Sequence, residues 1–149
     1  MIDQMFQANI RAPAEDIFDT IVDFAGQSRW LPKSLAYRGT DQISTEPVAL
    51  GTTYREPGIF GVRKGTVTEL NRPTRVTFHQ PMTMRAHLGV VDTTIRYELR
   101  SQSNSTQVTE FVAVTFSGMV RLLEPVFRGL FRRERERTSR ALQAFVERS

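Results

Sequence analysis

Residues 119–149 are MVRLLEPVFRGLFRRERERTSRALQAFVERS, a long segment whose apolar positions recur at helical spacing. At about 100° per residue, Leu123, Phe127, Leu130, Phe131, Ala141, Leu142 and Phe145 fall on one face, so the segment predicts an amphipathic helix with a face that must be buried. Pro125 and Gly129 loosen its first turns, which places the start of the regular helix nearer Pro125 than Met119. From Pro125 to Ser149 such a helix extends for nearly 40 Å at about 1.5 Å per residue, enough to cross a whole small sheet.

The sheet precedes it. From Leu35 the pattern turns to short β-prone stretches broken by turn residues, with strands expected near 35–43, 51–57, 63–70, 74–80, 88–100 and 106–117. Asn71-Arg72-Pro73 and the run 101–105 are the clearest turns. Val76 and Phe78 alternate with Thr77 and His79, and Ile95, Tyr97 and Leu99 alternate with Arg96 and Glu98, which gives the sheet one apolar and one wet face. Met5–Ile10 supplies a first strand, making seven. Between the first and second strands Ile17, Phe18, Ile21 and Val22 repeat at helical spacing after Pro13, and residues 25–30 hold a second short helix at most, stopped by Pro32.

Composition closes several chemistries. The chain of 149 residues predicts one domain over 1–149. It contains no cysteine, so disulfides, thiolate metal sites and cysteine nucleophiles are excluded, and two histidines make a zinc site a poor expectation. There is no Gly-x-Ser-x-Gly elbow, and Gly58, Gly61 and Gly65 do not precede a helix, so neither hydrolase chemistry nor a phosphate loop is indicated. Asn104-Ser105-Thr106 matches a glycosylation sequon but reads as turn chemistry. No apolar run of membrane-spanning length and no signal-peptide pattern are present, and a cytoplasmic location is expected.

The net charge of +4 is localised: residues 121–149 hold eight arginines against four glutamates, with twelve bases and twelve acids elsewhere. Arg132-Arg133-Glu134-Arg135-Glu136-Arg137 reads as a solvated face with local ion pairs. Nucleic acid is not expected, because the polar face lacks aromatics for base stacking; peripheral contact with a membrane stays open.

The order strand, two short helices, six strands and long helix resembles the START and Bet v 1-like superfamily, in particular its bacterial polyketide cyclase/dehydrase and lipid-transport branch. The resemblance spans the chain. It is carried by Ala12-Pro13-Ala14-Glu15-Asp16-Ile17-Phe18, then Asp23-Phe24, Trp30-Leu31-Pro32, the Gly65-x-Val67-x-Glu69-Leu70 segment and Pro73-x-Arg75-Val76-x-Phe78. It implies an α+β helix-grip fold, with a curved seven-stranded antiparallel sheet and the long helix enclosing a cavity.

Trp30, Tyr54, Phe60, Tyr97, Phe116, Phe127 and Phe131 are the expected aromatic lining. Strand parity puts His79 outside and His87 on the side of Val91, Ile95 and Tyr97, making His87 a cavity candidate. The wheel that aligns the helix's apolar face also places Glu134 and Thr138 near its centre, so both should point at the sheet. If Leu99 lies opposite Val108, then Glu110 lies opposite Tyr97 and a second carboxylate faces inward. These residues form the candidate binding set. A hydrophobic small molecule such as a lipid or polyketide is the expected partner, with no cofactor or metal. The alternatives are an aromatase/cyclase-type enzyme without an identified catalytic residue, or a quinone-, membrane- or ribosome-associated module.

Overall fold

The computed structural model describes residues 1–34 and 36–148. One antiparallel sheet is formed by β1 (Ile2–Ile10), β2 (Thr53–Pro57), β3 (Gly61–Asn71), β4 (Arg75–Met84), β5 (Val90–Ser101) and β6 (Thr106–Ser117) in the order β1-β6-β5-β4-β3-β2. Helix α1 (Ala14–Val22) and a 3₁₀ turn (Gln27–Arg29) follow β1, and helix α2 (Glu124–Glu147) closes the chain. The result is the expected α+β helix-grip architecture, with six strands among the described residues instead of seven.

The missing strand is the one expected over 35–43. Leu35 lies outside the described residues, as does Ser149 at the end of the expected helix. Of the rest, Asp41 makes a single bridge to Arg55 of β2. Gly39 and Gln42 have positive φ (101° and 51°), which breaks the pleat on both sides of that bridge. The chain instead crosses as a loop held by the Asp41–Arg55 ion pair at 2.7 Å.

Alternation decides which residues enter the core. In β4 and β5 the buried set Val76, Phe78, Gln80, Met82 and Val91, Thr93, Ile95, Tyr97, Leu99 faces inward. His79 faces out and meets Asp92 at 2.6 Å. β5 and β6 pair Leu99 with Val108, Tyr97 with Glu110 and Ile95 with Val112, the register that puts Glu110 inside. A bulge at Thr68 of β3 shifts the pairing between Val67 and Glu69, and such a bulge bends and twists its strand.

Helix α1 is an amphipathic nine-residue helix that buries Ala14, Ile17, Phe18 and Ile21, with Glu15 and Asp16 in the first turn, where the helix dipole favours acids. A 3₁₀ segment, Met119–Leu123, precedes α2, so the regular helix begins at Glu124 with Pro125 in its first turn. Helix α2 buries Phe127, Thr138, Leu142 and Val146.

Gly65 is dictated by close approach. It pairs with Tyr54 across β2 and β3, and a Cβ there would collide with the Tyr54 ring, which lies over it to reach Gln80. Gly65→Ala should therefore cost about 1–3 kcal/mol of stability by overpacking, read from urea midpoints. The cost should shrink in a Tyr54→Leu background; equal costs in both backgrounds would sever the link.

Candidate functional site

Between α2 and the concave face of the sheet lies a cavity of about 280 Å3. That is just below the usual range for ligand pockets, roughly 300–1,000 Å3. Its wall is mixed: apolar residues such as Phe24, Phe78, Ile95 and Leu130 stand beside Glu56, Arg63, Gln80, Glu134 and Arg135. The sole tryptophan, Trp30, and all three tyrosines, Tyr37, Tyr54 and Tyr97, line it. Phe24, Tyr54, Phe78 and Tyr97 run as a chain of ring contacts with centroids 4.3–6.3 Å apart. Arg133 is exposed, so the cavity opens beside it.

Of the residues singled out from sequence, Trp30, Tyr54, Phe60, Tyr97, Phe127, Phe131, Glu134 and Thr138 line the cavity. Phe116 stands behind the wall, its ring 5.8 Å from that of Phe127. Glu110 also sits behind it, 3% exposed and in contact with Arg135. His87 does not face the cavity. It is exposed in a 3₁₀ turn, Arg85–His87, where Ala86 and His87 have φ of 59° and 56°, and β5 starts only at Val90. The parity counted back from Val91 ends at that break.

Arg135 was not among the expected residues, and it organises the polar end. Its side chain is mostly shielded beneath α2, 17% exposed, Nε donates to Glu110, and Nη2 donates to the Tyr97 hydroxyl at 2.7 Å. Burial would lower the pKa of Arg135, but the adjacent Glu110 and Tyr97 more than offset that and hold it up. The expected solvated Arg/Glu run is thus only partly solvated: Arg135 follows Phe131 by four positions and shares its face. The inward Glu110 was the signal for it, since a buried carboxylate requires a cation.

Two further pairs complete the wall. Glu56 meets Arg63 at 3.1 Å, and Arg63 also donates to the Ala36 carbonyl at 2.9 Å. Glu134 accepts from Arg137 at 3.0 Å and from the Ser34 hydroxyl at 3.1 Å, while Arg137 donates to the Pro32 carbonyl at 2.7 Å. This pair fastens the Trp30–Ser34 segment to α2. Thr138 is buried, its hydroxyl returned to the Glu134 carbonyl at 2.9 Å. Burial is the main cause that pushes the phenols of Tyr37, Tyr54 and Tyr97 up, so all three stay un-ionised at neutral pH. Among the described residues no cluster of three His, Asp or Glu could hold a metal ion.

The family described as polyketide cyclase/dehydrase and lipid transport matches residues 5–147. No curated protein matches the sequence. Among solved structures, a START superfamily protein from Mycobacterium smegmatis is similar, with a TM-score of 0.74 and 16% identity over 98% of this chain and 97% of that one. A protein from Mesorhizobium loti has a TM-score of 0.76 and 13% identity over 99% and 98%. Truncated norcoclaurine synthase from Thalictrum flavum has a TM-score of 0.71 and 14% identity over 97% and 92%. At these identities the likeness is one of fold.

Removing Arg135 alone strands the Glu110 carboxylate. Arg135→Leu should cost about 3–5 kcal/mol, and adding Glu110→Leu should recover most of that loss. Urea denaturation of the two variants decides it: a double variant no more stable than the single would mean that the pair does not bear on stability.

Proposed function

The chain belongs to the polyketide cyclase/dehydrase and lipid transport family, and from that we propose that it binds and carries a neutral hydrophobic small molecule in the cavity beneath α2. One observation carries the word neutral. Apart from Arg133 at the opening, each ionised group of the wall is matched by one of opposite sign, Glu56 by Arg63, Glu134 by Arg137 and Arg135 by Glu110 behind it. A charged ligand would leave water without a counter-charge waiting for it, at a cost its apolar contacts could not offset. A neutral ligand meets aromatic faces and the Trp30 Nε1–H and Tyr37 hydroxyl, polar groups that carry no net charge and are unpartnered among the described residues.

The same pairing favours carriage over cyclase-type catalysis. General acid or base work at neutral pH needs a group poised to give or take a proton. Here the phenols are pushed up and the carboxylates are held by guanidinium groups. The membership and the cavity support a ligand-binding role; the ligand class is our reading of the wall.

Trp30 is a built-in reporter, being the only tryptophan and part of the wall. Its quenching by the neutral fluorophore N-phenylnaphthylamine should saturate, and a long-chain methyl ketone should displace the probe at least about tenfold more effectively than the fatty acid of equal length, a difference of about 1.4 kcal/mol. Preference for the acid would overturn the neutral reading.

Glu134→Gln, which leaves the Arg137 guanidinium without its carboxylate, should shift that ratio toward the acid. Glu136→Gln, on the exposed face of α2, should leave it unchanged. Equal effects of the two substitutions would remove Glu134 from the site.

A further inference from the structure

The cavity has a rim that ligand binding does not explain. After β6, Gly118 (φ 83°) turns the chain into the 3₁₀ segment, and Met119, Leu122, Leu123 and Val126 stand in solvent, 66%, 80%, 42% and 60% exposed. Three of them lie on the 3₁₀ segment and Val126 on the first turn of α2, so one short stretch of chain presents all four as an apolar stripe. A stripe of this kind ordinarily covers a core, yet here Val120 and Phe127 take the buried positions and the stripe faces outward. Single exposed apolar residues need no explanation, whereas four in a contiguous cluster mark an interaction surface.

Hydrogen bonds tie this stripe to the cavity wall at Phe60. Val120 N–H donates to the Leu88 carbonyl at 2.7 Å, which ties the 3₁₀ segment to the β4–β5 turn. Arg85 N–H in that turn donates to the Phe60 carbonyl at 3.0 Å, and the Phe60 ring, part of the cavity wall, is 5.5 Å from Phe127. Arg133 at the opening follows Val126 by seven residues, which returns it to within about 20° of the same helix face.

The end is also basic. Residues 83–89 and 118–133 hold five arginines against one acid, Glu124, which lies 3.5 Å from Arg128. We propose that this end docks on an anionic phospholipid surface, with Leu122 and Val126 entering the boundary between headgroups and chains and Arg85 and Arg121 on the phosphates, so that the cavity opens onto the lipid. A second copy fits poorly, because a two-fold interface sets the same patch against itself and brings like charges together. RNA fits poorly as well, since the stripe is aliphatic and offers no exposed ring for stacking. The proposal rests on the carrier reading for its purpose, while its surface stands apart from the cavity wall.

The test is flotation of the full chain with vesicles of phosphatidylcholine alone and of an equimolar mixture with phosphatidylglycerol. Binding is expected to the mixed vesicles and to weaken as salt shortens the Debye length from about 8 Å at physiological ionic strength to about 3 Å at 1 M. Leu122→Glu with Val126→Glu should abolish it, and Arg85→Glu with Arg121→Glu should lower affinity at least about tenfold. Both pairs alter exposed positions and should leave binding of N-phenylnaphthylamine in the cavity unchanged. Equal binding to both vesicle types, unaffected variants, a dimer that Leu122→Glu dissolves, or binding to RNA in place of vesicles would each overturn the proposal. Vesicle binding without probe binding would instead refute the carrier reading and leave the docking surface standing.

Discussion

The contact between Arg135, Glu110 and Tyr97 joins α2 to the middle of β5 and β6, and the remaining architecture is arranged around it. Aliphatic packing alone would let the helix slide or roll over a curved sheet with modest penalty. A buried carboxylate does not permit that freedom. Rotating α2 by one residue, about 100°, would carry Arg135 away and leave Glu110 without a counter-charge, at a cost of several kcal/mol. The pair thereby selects one seating of the helix, and that seating fixes Phe127, Phe131, Glu134 and Thr138 around the cavity.

An open interior beneath a long helix needs a reason not to collapse. Part of it is backbone curvature, with the bulge at Thr68 bending β3. Part is the polar wall, since Glu56–Arg63 and Gln80–Tyr54 on the sheet, and Arg135–Glu110 between α2 and the sheet, satisfy one another and cannot be pushed inward without losing partners. Tyr54 shows both effects. Its ring uses the space left by Gly65, and its hydroxyl is held at 2.6 Å by Gln80, so it lines the cavity instead of filling it. Aromatic contacts of 4.3–6.3 Å then carry the wall from Phe24 to Tyr97 with few rotatable bonds to disorder.

Period and parity made most of this legible in the sequence. The helical stripe of α2, the inward set of β4 and β5, and the β5–β6 register follow from alternation and the length of the turn at 101–105, which are local quantities. The errors arose where local pattern ceases to govern. Residues 36–43 are β-prone by type but are broken by positive φ at Gly39 and Gln42, and only one bridge survives. His87 failed for a related reason, because two left-handed residues end the pleat before β5 begins. Arg135 was hidden among alternating charges whose usual place is water; its burial is a tertiary fact, set by a carboxylate 25 positions away on another element. The ion pairs Glu56–Arg63 and Glu134–Arg137 could be read only once β2, β3 and the Ser34 segment were placed in space.

Charge is distributed on α2 in a way that links its two sides. The arginines facing the sheet or the entry segment, Arg135 and Arg137, are matched by Glu110 and Glu134, so the interior is balanced. The surplus that gives the chain its net charge of +4 lies outside and toward the start of the helix, among Arg121, Arg128, Arg132 and Arg133. Balanced charge within and surplus charge at the rim have opposite effects on a ligand and on a surface. The first leaves the deep wall without an unmatched charge, while the second sets a positive field at the opening. One helix can serve both because its faces are chemically independent, and the single residue that belongs to both, Arg133, sits where they meet.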